Sequence, residues 1–303
     1  MRTAFIHELI AQARRHQDIF LVVGDLGFSV VEAYAREFPD RFLNAGVAEQ
    51  NMTGVAAGLA AEGYHVFTYS IANFSTLRCL EQIRNDVCHH RLPVTVVAVG
   101  AGLAYGNLGF SHHAIQDIGI MRTFPELTLL SPADPGETSE CVRWLAEHPR
   151  PSYLRLGKAG EAQLHQVRGM AEGPLPIVRG RGDAALIATG SVLGLAIKAA
   201  AILKKAGLEL GVFSCPWLQP LDETWLNSLR DLRQLFVIEE HLASGGFASL
   251  LREKLPRGLA ITSFALPDSI LDEIGSQTFL RRRAGLEAER IAAAITAELL
   301  SDG

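Results

Sequence analysis

Glu49 stands where a carboxylate could handle a single proton. It lies in the run Gly46-Val47-Ala48-Glu49-Gln50-Asn51-Met52, followed directly by Thr53-Gly54-Val55-Ala56-Ala57-Gly58-Leu59-Ala60. From Met52 the apolar residues Val55, Ala56, Leu59 and Ala60 recur at helical intervals and mark one face of a helix for burial. Gly54, Gly58 and the alanines let another backbone or a flat ligand come close. A carboxylate at the mouth of such a helix is pulled two ways, because burial favours the neutral acid and a helix N-terminus favours the anion. Where burial prevails, the acid can share a proton with a ring nitrogen. The plainer alternative is that Glu49 only caps the helix that follows.

Other chemistry-bearing residues are less directive. The four cysteines, Cys79, Cys88, Cys141 and Cys215, form no CxxC pair and have no histidine at zinc-ligand spacing, so they read as buried, reduced thiols. Cys79 lies close in sequence to the Glu49 region, but a small core residue is the simpler reading. The tandem pairs His89-His90 and His112-His113 invite a metal, yet adjacent side chains diverge on a helix or a strand and no acid completes a site.

The elements that must position Glu49 alternate. Strand-like runs at Ile19–Val23, Val66–Ser70, Val94–Val99 and Leu127–Leu130 are too hydrophobic for an exposed sheet. Helices are expected near Thr3–Arg15, Asn51–Glu62, Ser75–His90 and Pro135–Glu147. The last carries Asp134 as N-cap, Pro135 at its first position and Glu137 in a capping-box pattern. Glycines, Pro174, Pro176 and mixed charge between Gly157 and Asp183 read as a linker. Beyond it, strands at Ala184–Thr189, Leu208–Ser214, Leu235–Glu239 and Ala260–Phe264 alternate with helices at Val192–Ala206, Glu223–Leu229, Gly246–Leu255 and Glu287–Leu300, with Ser191 as a cap and Gly207 as a stop. The fold class is α/β, two doubly wound domains with mostly parallel sheets: residues 1–165, a linker at 166–182 and a smaller domain at 183–303.

Composition agrees. The chain has 303 residues, 48% hydrophobic and 20% charged, enough for two cores. A net charge of −5 argues against nucleic acid or an anionic membrane as partner. No apolar stretch reaches the roughly 18 residues of a membrane span. The N-terminal run Met1-Arg2-Thr3-Ala4-Phe5-Ile6-His7-Glu8 lacks a signal-peptide core, and a cytoplasmic address is expected.

The Glu49 run resembles the GxxEQNM segment of transketolase-like enzymes dependent on thiamine diphosphate, whose glutamate protonates N1′ of the aminopyrimidine. Phe74, Arg78, Glu81-Gln82-Ile83-Arg84-Asn85, Gly106, Gly109, Ser111-His112, Asp117 and Ser131-Pro132-Ala133-Asp134 recur in that family's order. The resemblance covers almost the whole chain, and it is to the C-terminal half of a transketolase: the pyrimidine-binding domain plus the C-terminal domain. It implies that Glu49 is catalytic, and that Phe74, stacking on the aminopyrimidine, lines the cofactor site with Asp25, Ile71 and Arg78. It implies that His112 holds the oxygens of the two-carbon unit, with His113 in place of a glutamine, and that Arg155 meets an acceptor phosphate or carboxylate. The alternative for Arg155 is a surface salt bridge. Glu239-Glu240-His241 and Gly245-Gly246 resemble the family's C-terminal domain and are expected to support a subunit interface.

Three departures shape the functional reading. The family's GDG motif with its later asparagine, which holds diphosphate and Mg2+, is not found; Gly24-Asp25-Leu26 and Gly182-Asp183-Ala184 lack the partner asparagine. An N-terminal, diphosphate-binding subunit is therefore expected, giving an α2β2 assembly. Gly100 replaces a histidine and Leu108 an aspartate that in transketolases bind sugar hydroxyls, so the acceptor channel becomes more apolar. Ile71 and Leu77 make the pyrimidine cup more aliphatic. The expected reaction is transfer of a two-carbon ketol unit from a ketose donor to an unusual aldehyde acceptor. The alternatives are a deoxyxylulose-phosphate-synthase-like or 2-oxo acid dehydrogenase β-type subunit, and a non-catalytic regulatory partner.

Overall fold

Runs of Val, Ile and Leu bounded by glycine or proline become the central strands, because such residues fit a pleated surface buried on both faces. The computed structural model describes residues 1–167, 169 and 173–301. Among them the strands are β1 (Ile19–Val23), β2 (Phe42–Asn44), β3 (His65–Ile71), β4 (Val94–Val99), β5 (Thr128–Leu130), β6 (Ser152–Leu156), β7 (Leu175–Val178), β8 (Ala184–Thr189), β9 (Gly211–Ser214), β10 (Trp217–Gln219), β11 (Gln234–Leu242) and β12 (Ala260–Leu266). They form a seven-stranded sheet in the order β10-β5-β6-β4-β3-β1-β2 and a five-stranded sheet in the order β12-β11-β8-β9-β7. Of these strands β10 and β7 run antiparallel to their neighbours, and the rest are parallel. Parallel register sets Val23 beside Tyr69 and Ile71 beside Val99, so β1, β3 and β4 end together.

Helices cover both faces of the first sheet. Helix Arg2–Arg15 buries Phe5, Ile6 and Leu9 in a cluster with Tyr69, Val99 and Trp144. Helix Glu49–Ala61 packs Met52, Ala56 and Ala60 on the other face. That second cluster continues through Ile118 and Met121 into Ile187 and Phe247, so one core joins the two sheets. Among the described residues no helix is long and apolar enough to cross a membrane.

Several expectations are corrected. The segment expected as one helix over Ser75–His90 is a chain of short turns, Ala72–Ser75, Leu77–Cys79 and Leu80–Gln82, closing on a π-helical turn at Ile83–Cys88. Residues 175–178 of the expected linker form the edge strand β7, where Pro176 is tolerated because an edge leaves one side of the strand unpaired. Residues 168 and 170–172 of that linker lie outside the described residues. Ser191 is not an N-cap: a tight turn at Gly190–Val192 precedes helix Leu193–Lys205, and the Ser191 hydroxyl donates to Glu240 instead. Asp134 caps its helix as expected, accepting from Glu137 N at 2.9 Å.

Candidate active site

Ends of parallel strands are where a doubly wound sheet opens a crevice, and the sequence candidates gather there. Gly46, at φ +73°, turns the chain from β2 into the helix, and Glu49 becomes its first residue, 1% exposed. Its Oε2 accepts from Arg78 Nη1 at 2.6 Å, while Oε1 accepts from Ser70 Oγ, at the end of β3, at 3.4 Å. Gly24 lets β1 pass: a Cβ there would lie 3.4 Å from Glu49 Cγ and 3.3 Å from Ser70 Oγ. The Arg78 guanidinium also lies 4.6 Å from the centre of the Phe74 ring. Phe74 in turn meets His112 edge-on, ring centres 5.2 Å apart. Glu49, Arg78, Phe74 and His112 are therefore one contiguous group, with Ile71 half-buried at the end of β3.

Two asparagines that the sequence motifs do not single out tie this group together. Asn73 Nδ2 donates to Ser111 O and His113 O, both at 3.1 Å, and so staples the His112 turn to the Phe74 segment. Asn44 accepts from Asp25 N at 3.1 Å and Gly46 N at 3.0 Å and donates to Asp25 Oδ1 at 2.9 Å. It thereby holds Asp25, whose φ of +55° is uncommon for a side-chain-bearing residue, against the lead-in to Glu49. The sequence signal for both is slight: an asparagine near a strand end is ordinarily a turn residue.

His112 is half-buried, with Nδ1 2.9 Å from Ser111 Oγ. Burial, helped by neighbouring His113, lowers its pKa below the ordinary histidine value, so the ring is neutral at pH 7 and can accept or donate one hydrogen bond. His113 itself points inward, fully buried with Nε2 3.4 Å from Gly106 O, and does not reach the pocket where a substrate ligand was expected. Leu108 is 53% exposed on the rim. Gly100 has φ +96° and is roofed by the ring of Tyr105.

Arg155 is corrected. It is neither a free substrate ligand nor a surface pair, because its guanidinium is 2% exposed and committed inside the protein. Nε donates to Asp117 Oδ2 at 2.7 Å, and Nη2 donates to Ala114 O at 2.8 Å and Glu240 O at 3.1 Å. Tyr153 adds a 2.7 Å hydrogen bond to the same Asp117 oxygen. Burial opposes the Asp117 charge, and Arg155 overcomes it and holds the carboxyl below its usual range. Glu239, Glu240 and His241 are likewise buried within the chain. Glu239 accepts from Phe247 N and Ala248 N, Glu240 pairs with Arg281 at 2.7 Å, and His241 Nε2 accepts from Gly119 N at 3.2 Å. All four cysteines are free and buried, and burial raises the Cys79 thiol. Among the described residues no three His, Cys, Asp or Glu side chains stand close enough to hold a metal ion.

Fold and site together define one half of a transferase of the transketolase type. Residues 1–160 match the transketolase pyrimidine-binding domain and residues 173–291 the transketolase C-terminal domain, and the chain belongs to the transketolase family. It is 30% identical over 299 residues to one subunit of the apulose-4-phosphate transketolase of Actinobacillus succinogenes, covering 94% of each chain. It is 31% identical over 302 residues to the 1-deoxy-D-xylulose-5-phosphate synthase of Pelotomaculum thermopropionicum, covering 96% of this chain and 47% of that one. A solved split-gene transketolase, described as an inactive beta4 tetramer, superimposes with a TM-score of 0.86 at 30% identity, over 98% of this chain and 96% of the other. The chain is thus a subunit of a transketolase-like enzyme, a family whose chemistry depends on thiamine diphosphate.

Proposed function

We propose that this chain supplies the proton-handling half of a two-subunit enzyme that transfers a two-carbon ketol unit from a ketose to an aldehyde. The observation that carries the reading is the buried Glu49 carboxylate, with Phe74 and neutral His112 assembled beside it. The aminopyrimidine end of thiamine diphosphate fits these residues. Oε1 of Glu49 is a buried acceptor whose one hydrogen bond among the described residues is the long contact from Ser70, so it has capacity for a ring N–H or a shared proton. Phe74 offers an aromatic surface, and Gly24 keeps the approach to Glu49 narrow but free of a side chain. When bound, the cofactor supplies the carbanion-stabilising chemistry. Glu49 holds and returns the proton at the ring nitrogen, Arg78 orients the carboxylate, and His112 binds the oxygen of the transferred unit.

Nothing comparable among the described residues would hold a diphosphate and Mg2+, and we assign both to a diphosphate-binding partner in an α2β2 assembly. The surface around the site supports this. Phe28, Val47, Leu108, Phe110 and Ile274 are 78, 75, 53, 56 and 67% exposed, on loops that border the Glu49 and His112 segments. Exposed apolar side chains gathered at one end of a molecule mark a protein interface. The relatives named as apulose-4-phosphate transketolase subunits make a ketose phosphate the first donor to offer. A second reading, condensation of a 2-oxo acid with an aldehyde, is favoured by the likeness to 1-deoxy-D-xylulose-5-phosphate synthase; release of carbon dioxide from pyruvate separates it from ketol transfer.

The test is purification of the tagged chain from its host with Mg2+ present. The expected result is an equimolar second polypeptide, bound thiamine diphosphate, and ketol transfer that Glu49→Gln lowers at least about 100-fold without loss of assembly. Unchanged turnover in that variant would overturn the assignment.

A further inference from the structure

We infer that Tyr105 is a specificity-determining residue of this site, walling the acceptor side of the pocket in the space that a side chain at position 100 would take. The inference rests on the ketol-transfer reading above. β4 delivers the chain at Gly100 to the end of the sheet where the Glu49 helix and the Phe74 turn begin. A Cβ built on Gly100 would lie 2.3 Å from Tyr105 Cδ2 and 2.5 Å from Cε2, closer than any real carbon contact. A side chain at 100 and the ring of Tyr105 therefore exclude one another. The ring cannot simply swing aside, because it is half-buried against the cluster that holds Tyr69 and Val99.

Tyr105 also lies beside His112. Its ring centre lies 6.4 Å from that of His112 with the planes at 87°, so the imidazole has two aromatic neighbours, Tyr105 and Phe74. On the ketol-transfer reading an acceptor that reaches His112 comes to lie beside the Tyr105 ring. Burial raises the Tyr105 hydroxyl above its ordinary pKa, so it remains a neutral phenol. The wall is broad, flat and uncharged. It selects acceptors by width, favouring short or sparsely hydroxylated aldehydes over long polyhydroxy ones.

Two experiments test this. In the assembled enzyme, kcat/KM is compared for glycolaldehyde and ribose 5-phosphate. Tyr105→Ala is expected to shift the ratio toward ribose 5-phosphate by at least about tenfold, with the donor KM changed less than about twofold, while Tyr105→Phe, which keeps the ring, holds the ratio. In the isolated full chain, Gly100→Ala is expected to lower the melting temperature much more beside Tyr105 than beside Tyr105→Ala. Additive melting shifts would overturn the mutual exclusion. An unchanged acceptor ratio in a folded, active Tyr105→Ala enzyme would overturn the role in specificity. Absence of ketol transfer by the unaltered complex would instead remove the functional reading, and the melting coupling would still decide the geometry.

Discussion

Glu49 and Asp117 are both carboxylates with 1% of their surface exposed, and their partners set them apart. Glu49 is held by an arginine that is itself 44% exposed and leaves one oxygen lightly bonded. Asp117 is enclosed by Arg155 and Tyr153 with nothing left for a ligand. Removing one partner of a buried pair strands the other charge, so Arg155→Met is expected to cost about 3–5 kcal/mol of stability in urea denaturation. Acceptor KM in the folded fraction should hardly change; a large rise in KM for phosphorylated acceptors with unaltered stability would return Arg155 to the substrate. Glu49 was legible because its motif is contiguous. The destination of Arg155 was not, because Asp117 lies 38 residues away and meets it only once the sheet is assembled.

At the scale of elements, helix Pro135–Glu147 was legible to the residue because Asp134, Pro135 and Glu137 encode its start locally. The turns from Ala72 to Cys88 were not, since their apolar residues are also those of a continuous helix. Strand β3 carries a pH-dependent consequence. Burial lowers the His65 pKa to about 4, with Nε2 3.2 Å from Thr95 Oγ1 on β4. The unfolded chain takes up the proton near pH 6.5, so this stabilisation is whole above 6.5 and is lost as pH falls toward 4, by about 3 kcal/mol. Glu239, raised to about 7 by burial, acts oppositely: its contribution is whole below about 4.5 and lost as pH rises through 7. Urea midpoints of wild type and His65→Gln between pH 7.5 and 4.5 isolate the histidine. The variant should lose less stability on acidification, and parallel curves would refute the assignment.

At the scale of the whole molecule, the two α/β units are bound by more than a shared core. β10, which follows the linker, returns to the first sheet and pairs with β5, and Glu240 and His241 lie beside the Arg155 and Gly119 segments. The exposed apolar side chains Phe28, Val47, Leu108, Phe110 and Ile274 border the Glu49 and His112 segments. Val47→Asp with Phe28→Ser is therefore expected to weaken partner binding at least about tenfold in sedimentation, while the melting temperature of the isolated chain stays unchanged. Undiminished association would move the interface elsewhere. The sequence by itself determined the alternation of strand and helix and the family to which the Glu49 segment belongs, because periodicity, caps and a contiguous motif act over a few residues. Tertiary structure alone decided that Arg155 turns inward to Asp117, that Tyr105 takes the space above Gly100 and that a strand from beyond the linker completes the first sheet. Those outcomes depend on which side chains the assembled sheets bring within reach of a vacancy or a buried charge, and distance in space is absent from a linear order of residues.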